Sequence, residues 1–450
     1  MASQVSESDV APPISQRERR EAYLLSLLET VRTAAPEHVA LHNLRAQAAA
    51  IVKEQTFPST RDEDWRFTDL SSMVAVPFQA SLAPTELDPG VLQTVELPEA
   101  IARIVLVNGR YDENLSAVDQ LPPGVVIGNL LTLLSGAIAP QLMARLAKAK
   151  GGHEPFTALN TAGFADAAVV WLPRNQAIEA PIQIVSLTIG QAQPVMTHPR
   201  CLVVAETGSA LTIVEDFIGS HDYRHFTNSV TEIYADAATH VTHVRLQREG
   251  SNNIHVGKTA VTQGRDSQYT HVAVNLGAQI SRHNLEVYQT GPQTDTNLYG
   301  LSAIAQSQLA DTHSLIATQH PHGTADQLHK TIVDDKAHAV FNGKVWVPRA
   351  AQMTNASQLN RNLLLSDQAR IDTKPELDIV ADNVKCAHGA TVSQLNAHEV
   401  FYLQSRGISA AAAQRLLIYG FAMDIIDRIP VSSLRQTLIT TVTERSQSLP

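Results

Sequence analysis

A long series of short apolar stretches, separated by connections rich in Gly, Asp, Asn and Pro, dominates the chain from Phe156 to Pro348. No long helical pattern interrupts the series, so these stretches indicate β-strands. Two strand signals recur about every 20–25 residues, which favours a β-solenoid of stacked coils over a sandwich. The pattern alone leaves a large β-sandwich open. The first strands are predicted at 168–172, 182–187, 200–205, 210–215, 229–234, 240–246, 254–260 and 268–275.

The composition suits a narrow stacked interior. Hydrophobic residues make up 44% of the chain, enough for a sizeable core, but aromatic residues make up only 5%. Ala, Val, Leu and Ile must therefore fill the core, as expected if each coil contributes a few small side chains. Solenoids expose sheet edges at their ends, and such edges need caps or a partner.

Helical patterns precede the strand series. Apolar residues recur at helical spacing across residues 16–54 and predict a helical hairpin. Trp65 and Phe67 follow among charged residues. An aromatic pair in this setting is more often a packing anchor than part of a ligand site.

Helical patterns also follow the strands. Asn396 with Glu399 three residues later matches a capping box, and Gly407 marks the end of that helix. Two further helices are predicted at 410–429 and 432–446. The expected domains are an N-terminal helical and mixed region at 1–155, a β-helix core at 156–395 and a C-terminal helical domain at 396–450.

Charge and cysteine content exclude several classes of protein. A net charge of −10 argues against a nucleic-acid binder, which usually has a basic patch. Cys201 and Cys386 do not form a disulfide framework and fit a reducing compartment. No secretory signal and no apolar run of membrane-spanning length is visible, so we expect a cytoplasmic protein without a membrane partner.

The chain contains no recognisable catalytic motif. It lacks G-x-x-x-x-G-K-[ST], since Gly343-Lys344 has neither the upstream glycine nor the following Ser or Thr. It also lacks a G-x-S-x-G elbow. No segment of the sequence is therefore predicted to wrap a nucleotide phosphate.

Histidine is unusually frequent, with 18 in the chain and thirteen from His221 to His388. His240 and His243 are three positions apart and are expected on opposite sides of a strand. We interpret most of these histidines as polar strand positions on a solvated face, with a minority lining an interface.

Cys386 and His388 form the candidate site of greatest interest. Both follow an alternating strand pattern, so they should lie on one face of a second strand that begins at Val384. A thiol and an imidazole suit iron, zinc or copper. Two donors do not complete a metal site, because structural zinc needs four ligands and clusters usually have four cysteines. Packing of both side chains in a core remains the alternative.

The segment Lys385 to Val392 (KCAHGATV) closely resembles the SufB/SufD family of the SUF iron–sulfur assembly system. Weaker matches are the DEDWRFT run at 62–68, VNGRY at 107–111, QLHK at 327–330 and FNG at 341–343. The SufB branch typically has His-Glu-Ala-Thr where this chain has HGAT, and a cysteine near 360–364 where this chain has none. These departures point to the SufD branch.

The resemblance implies a right-handed parallel β-helix core with an N-terminal helical region and a C-terminal helical domain. It implies a scaffold subunit without ATPase activity that pairs with SufB through the β-helix and with the ATPase SufC through the C-terminal helices. An isolated chain could form a homodimer. A transient iron–sulfur cluster would be shared with SufB, and none would be bound permanently by this chain alone.

The resemblance also assigns roles to individual residues. His388 is the first candidate for a metal ligand, and Cys386 is the weaker one, with transient binding, sulfur relay and packing left open. The candidates for supporting SufC docking are Tyr402, Arg406, Gly407 and Tyr419. Two alternatives are a solenoid adaptor without a metal role and, less favoured, a β-helix polysaccharide-active enzyme.

Overall fold

The computed structural model describes residues 15–81, 90–219 and 223–447. Residues 1–14, which begin the predicted N-terminal region, lie outside the described residues, as does His221. The described chain is mainly β, and a parallel β-solenoid lies between N-terminal and C-terminal helices, which confirms the predicted fold class. None of the helices in these ranges combines the length and apolar character needed to cross a membrane.

The helices lie at both ends of the chain and between the first strands. They are α1 (Gln16–Ala34), α2 (Val39–Lys53), α3 (Ser71–Val74), α4 (Gly90–Gln93), α5 (Leu130–Leu133), α6 (Ala139–Arg145), α7 (Pro155–Gly163), α8 (Ala397–Ser405), α9 (Ala410–Ile426) and α10 (Ser432–Gln447), with a 3-10 turn at Glu63–Trp65. The predicted hairpin is thus formed by α1 and α2.

The strands become long and regular in the second half of the chain. They are β1 (Gln79–Ala80), β2 (Ala102–Val107), β3 (Arg110–Tyr111), β4 (Val126–Asn129), β5 (Ala168–Leu172), β6 (Ile182–Thr188), β7 (Val195–Thr197), β8 (Arg200–Ala205), β9 (Ala210–Gly219), β10 (His225–Ala235), β11 (His240–Gln247), β12 (Ile254–Gln263), β13 (Gln268–Asn275), β14 (Ile280–Gln289), β15 (Asp295–Ile304), β16 (Leu309–Thr318), β17 (Thr324–Val333), β18 (His338–Val347), β19 (Asn355–Leu364), β20 (Arg370–Ile379) and β21 (Lys385–Gln394).

From β8 onward successive strands alternate between two sheets, so each coil adds one strand to each sheet. From β10 onward the even-numbered strands pair in parallel in one sheet and the odd-numbered strands in the other. Side chains that hydrogen-bond between adjacent coils lie 27, 29 and 31 positions apart. The coil is therefore longer than the predicted period of about 20–25 residues. The reason is that most strands run for 10 residues, longer than the apolar stretches by which they were recognised.

The interior between the sheets contains ladders of aligned aliphatic side chains. One ladder takes one residue from each coil, and its members are partners in the parallel register. It consists of Val203, Ile233, Val261, Val287, Ile316, Val345 and Leu377. Stacking small aliphatics in this way fills a narrow core, as the composition predicted.

The expectation that most histidines face solvent is wrong for six of those that the structure describes. They are buried, and they are His225, His243, His255, His271, His283 and His329. Carboxylates accompany them inside the solenoid: His243 Nε2 lies 2.8 Å from Glu215, and His255 Nδ1 lies 2.6 Å from Glu249. The longer strands provide more inward positions than aliphatic residues occupy, and polar groups placed there need partners. His240 is exposed and His243 buried, as strand alternation predicted.

The N-terminal region packs on the outer face of the even-numbered sheet through an apolar cluster that includes Trp65 and Phe156. Arg282 on β14 fastens this region to the solenoid. Its guanidinium lies over the Trp65 ring at 3.8 Å, and its Nη1 donates to the Asp64 carbonyl at 2.6 Å and to Asp311 at 2.6 Å. Trp65 is 5% exposed, so the prediction of a packing anchor is confirmed for Trp65, whereas Phe67 is only half-buried.

The C-terminal helices cover the outer face of the odd-numbered sheet. Ile418 and Ile425 of α9 belong to the same cluster as Val272 and Leu301 of that sheet. Helix α9 ends at Ile426, three residues before the predicted end. By contrast, α8 buries none of its residues. One helix of this region is therefore open to a partner while the other two close the sheet.

Candidate functional site

The candidate site lies on the last strands of the two sheets, β20 and β21. Each ends its sheet and pairs on one side only, with β18 and β19 respectively. The side chains of β21 are mostly exposed, in contrast to those of the inner strands. This end of the solenoid is therefore a surface that another chain could extend.

The free edges of the two strands differ in their hydrogen-bonding groups. On β21 the Lys385 N–H donates to the Thr354 carbonyl at 2.9 Å. Because backbone groups alternate in direction along a parallel strand, the N–H groups of Cys386, His388 and Ala390 point away from β19. On β20 the same alternation directs position 375 outward, and proline has no N–H to offer there. An added strand would therefore find a continuous row of donors on β21.

Cys386 and His388 share a face of β21, as predicted, but differ in exposure. Cys386 is half-buried and packs against the interior cluster, in register with Ala356. Burial raises the pKa of its thiol, an effect that a hydrogen bond with the Ala356 backbone only partly offsets. His388 is exposed. The imidazole is thus the more accessible donor, and the thiol must lose a proton before it binds metal.

This pair does not form a complete metal site. Within the described ranges, no group of three or more His, Cys, Asp or Glu side chains is placed to hold a metal ion. A tetrahedral site built on Cys386 and His388 would need two donors from outside the chain. The open edge of β21 is where such donors could arrive.

Sequence reasoning missed the polar side chains behind His388. His388 is in register with Gln358, and Gln358 with Gln327. Gln358 Nε2 donates to Gln327 Oε1 at 2.9 Å, and Gln327 Nε2 donates to Ser314 Oγ at 2.5 Å. Both glutamines are buried. Aligning the sequence at the true coil length would have placed the three positions in one column.

The predicted docking residues lie on the C-terminal helices. Tyr402 is 58% exposed, and Arg406 lies beside it with Cζ 5.3 Å from the ring centroid and Nη2 3.2 Å from the hydroxyl. Gly407 follows with φ of 86°, a left-handed conformation that favours glycine at a helix end. Tyr419 is half-buried on α9. The structure thus brings Tyr402, Arg406 and Gly407 together and leaves Tyr419 on another helix.

Two exposed apolar residues of the C-terminal helices were not among the predicted docking residues. Phe401 on α8 is 69% exposed, and Leu416 on α9 is 48% exposed. A helix without buried residues that presents two adjacent aromatics is unusual for a surface that faces only water. The adjacent aromatic pair in the sequence was the available signal.

Comparisons with known proteins agree with this architecture. The family model for the SufBD core domain of SUF system FeS cluster assembly matches residues 187–421, and that for the SufBD protein N-terminal region matches residues 19–184. A Synechocystis iron–sulfur cluster assembly SufBD family protein is 45% identical over 424 residues, covering 92% of this chain and 93% of its own. The Arabidopsis chloroplastic protein ABCI7 is 33% identical, with 91% and 87% covered.

The iron–sulfur cluster assembly protein SufD of Escherichia coli is 30% identical over 391 residues, covering 86% of this chain and 89% of its own. The matches span both the N-terminal region and the solenoid. The chain therefore belongs to the SufBD family of SUF iron–sulfur cluster assembly proteins, as a SufD-type member.

Proposed function

We propose that this chain is the non-ATPase scaffold subunit of a SufB–SufC–SufD assembly complex, in which a nascent iron–sulfur cluster forms between it and SufB. Family membership supports a role in cluster assembly rather than a polysaccharide-active enzyme. The observation that carries the proposal is the position of His388: it is an exposed imidazole on a terminal strand whose edge is open.

SufB is the proposed partner at the open edge of β21. A strand added there would pair with the outward N–H groups of β21 and continue the solenoid from one subunit into the next. The same edge could accept a second copy of this chain when SufB is absent. The cluster is the product of assembly, so its ligands need only hold it until it is transferred.

His388 and donors from SufB would hold the nascent cluster. An imidazole binds iron through one ring nitrogen while the other is oriented by an acceptor. Cys386 would contribute only after losing its proton, which burial opposes. The competing interpretation is a solenoid adaptor in which both side chains serve packing, and the half-burial of Cys386 is compatible with it.

SufC is the proposed partner of the C-terminal helices, where it would supply the ATP hydrolysis for which this chain has no motif. The surface formed by Phe401, Tyr402 and Arg406, which we name the α8 surface, is exposed and combines aromatic rings with a guanidinium. Such groups are enriched among residues that dominate binding energy. We assign docking to the segment 396–450, assembly to the core at 156–395, support to 1–155, and the whole complex to the cytoplasm.

The test is anaerobic co-purification with SufB and SufC, followed by reconstitution and measurement of iron and sulfide per complex. His388→Ala should leave the complex assembled and remove most of the bound iron. His240→Ala is the matched control, because His240 is exposed on β11 far along the sheet. Equal loading of both variants would reject His388 as a ligand and favour the adaptor.

A further inference from the structure

A second site lies far from the edge of β21. A cavity of about 490 Å³ opens between α2, the loop at residues 147–153 and the outer face of the even-numbered sheet at β8, β10 and β12. In that sheet, β14, β16 and β18 separate β12 from β20. The volume is in the range of small-molecule sites. It has no role in the function proposed above.

The walls of this cavity are strongly cationic. Lys148 and Lys150 reach it from the loop, and Arg200 and Lys258 from the sheet. Glu232 is the one carboxylate among the lining residues. The net charge of the chain is −10, so this concentration of positive charge runs against the overall balance. Anions would be drawn to it.

Arg200 has a buried donor with no partner. Its Nη1 donates to Asn160 at 2.9 Å and to Thr161 at 3.0 Å, and its Nη2 donates to Glu232 at 2.5 Å. Its Nε has no hydrogen-bond partner although the residue is only 2% exposed. A buried donor without an acceptor costs stability, so an acceptor supplied by a ligand would be favoured.

The loop that forms one wall is fixed in place. The Glu232 carboxylate accepts hydrogen bonds from the Ala147 N–H at 2.9 Å and the Ala149 N–H at 3.2 Å. Lys150 lies 5.0 Å from the centroid of the Tyr288 ring. Gly151 has φ of 79° and packs against the Lys258–Glu286 ion pair. Lys150, Arg200 and Lys258 are thus placed around the cavity before any ligand arrives, which lowers the entropy cost of binding.

The remaining walls combine apolar side chains with the polar residues Gln47, His153, Thr157 and Thr161. Ala48 and Ile51 of α2 face the cavity from one side, and Val230 and Ala260 from the sheet. A bare inorganic anion would leave these surfaces unfilled. A ligand with an apolar body would cover them and gain from their burial.

We propose that this cavity binds a small molecule that carries a phosphate group on an apolar body. The four cations outnumber the two carboxylates beside them, Glu232 and the Glu286 that pairs with Lys258, and the remaining positive charge favours a group with more than one negative charge. A phosphate monoester carries about −1.5 to −2 at neutral pH. The phosphate would lie among Arg200, Lys258 and the loop lysines, and the apolar body against Ala48, Ile51 and Ala260.

The test uses three probes with the full-length chain: 1-naphthyl phosphate, 1-naphthol with the same ring and no phosphate, and inorganic phosphate with no ring. Titration calorimetry should find that 1-naphthyl phosphate binds at least about tenfold more tightly than either of the others, a difference of about 1.4 kcal/mol. No binding of 1-naphthyl phosphate at millimolar concentration would overturn the proposal. Equal binding of inorganic phosphate would overturn the part of the proposal that gives the ligand an apolar body.

Variants then locate the site. The double variant Lys148→Ala, Lys150→Ala removes two exposed loop cations and should weaken the binding of 1-naphthyl phosphate by about tenfold or more. The double variant Lys336→Ala, Arg349→Ala also removes two exposed cations, but away from the cavity, and should bind like the native chain. Equal weakening in both doubles would mean nonspecific attraction and would reject the cavity as the site.

Discussion

His388 lies in register beside Gln358 on the neighbouring strand. The exposed imidazole is therefore the last member of a column of aligned side chains, and the two members behind it, Gln358 and Gln327, are buried. Gln358 is in turn bonded to Gln327, and that amide to Ser314. The imidazole therefore projects from a packed and hydrogen-bonded base rather than from a loop. A ligand held in this way keeps its position when a second chain approaches.

The metal-binding hypothesis predicts that the chemistry of position 388 matters more than its size. His388→Cys retains a donor for iron and should keep part of the iron bound by the reconstituted complex. His388→Leu fills similar space without a donor and should lose most of it. Iron and sulfide analysis of the anaerobic complex measures both. If the leucine variant loads as much iron as the cysteine variant, position 388 has only a packing role.

The open edge of β21 predicts a sharp effect of proline on pairing. Ala390→Pro removes an N–H that points away from β19, so the internal ladder of the chain should survive, as proline is tolerated on edge strands. Pairing with SufB should weaken by about tenfold or more, because one intermolecular hydrogen bond is lost and a ring blocks the edge. The amount of SufB that co-purifies with the variant measures the effect.

Ala390→Ser is the matched control, since it changes the side chain and keeps the N–H. It should pair like the native chain. Circular dichroism and the thermal midpoint of both variants check that the solenoid remains folded. Undiminished pairing of the proline variant in a folded chain would show that SufB does not use this edge.

The sequence predicted the fold well where one physical signal dominated. Period-2 alternation and recurring turns identified the strands, and caps such as Asn396 identified the helices. The predicted coil length was too short because the sequence shows only the apolar part of each strand as a continuous stretch. Buried histidines such as His271 were assigned to the surface because a polar residue signals exposure unless its partner is known. Glu215 and Glu249 become partners only when distant strands stack.

The buried pair Arg282–Asp311 predicts how firmly the N-terminal region is attached. Burial opposes ionisation of Asp311, but Arg282 outweighs it and keeps the pKa of that carboxyl well below its usual range. Arg282→Met would leave this buried carboxylate with only His313 and Thr68 as partners, at a cost of about 3–5 kcal/mol. Urea unfolding measures the loss. Arg265→Met, which breaks an exposed pair with Asp266, should cost less than about 1 kcal/mol.

Equal effects of these two variants would mean that Arg282 contributes mainly through its stacking on Trp65, which methionine partly replaces. The double variant Arg282→Met, Asp311→Leu separates the two contributions. It also removes the Asp311 carboxylate, so it should recover much of the stability that Arg282→Met alone loses.

The α8 surface predicts which residues matter for SufC. Tyr402→Ala removes an exposed ring that Arg406 stacks on, and should weaken SufC binding by about tenfold or more. Helix α8 buries no residue, so the fold should be unaffected. Tyr223→Ala, at another exposed tyrosine, is the control and should bind SufC normally. If the Tyr402 variant binds SufC like the native chain in a pull-down, α8 is not part of the SufC interface.

The buried histidines predict a loss of stability in mild acid. Burial lowers the pKa of His198 and His329 to about 3 and lowers those of His255, His271 and His283 as well. In the unfolded chain a histidine titrates near pH 6.5. Between these values the unfolded state binds protons that the folded state excludes, so stability is complete above about pH 6.5 and falls as the pH decreases.

Each such histidine should contribute up to about 1.4 kcal/mol of destabilisation per pH unit below that point. Urea unfolding at intervals from pH 7 to pH 5 measures the slope, in a range where the carboxylates with lowered pKa values, such as Asp311, stay ionised in both states. His329→Gln should reduce the slope of stability against pH by the contribution of one buried histidine. His240→Gln, at an exposed position, should leave the slope unchanged. A slope unchanged by His329→Gln would mean that His329 is protonated inside the folded solenoid, and its burial would then need a partner to explain it.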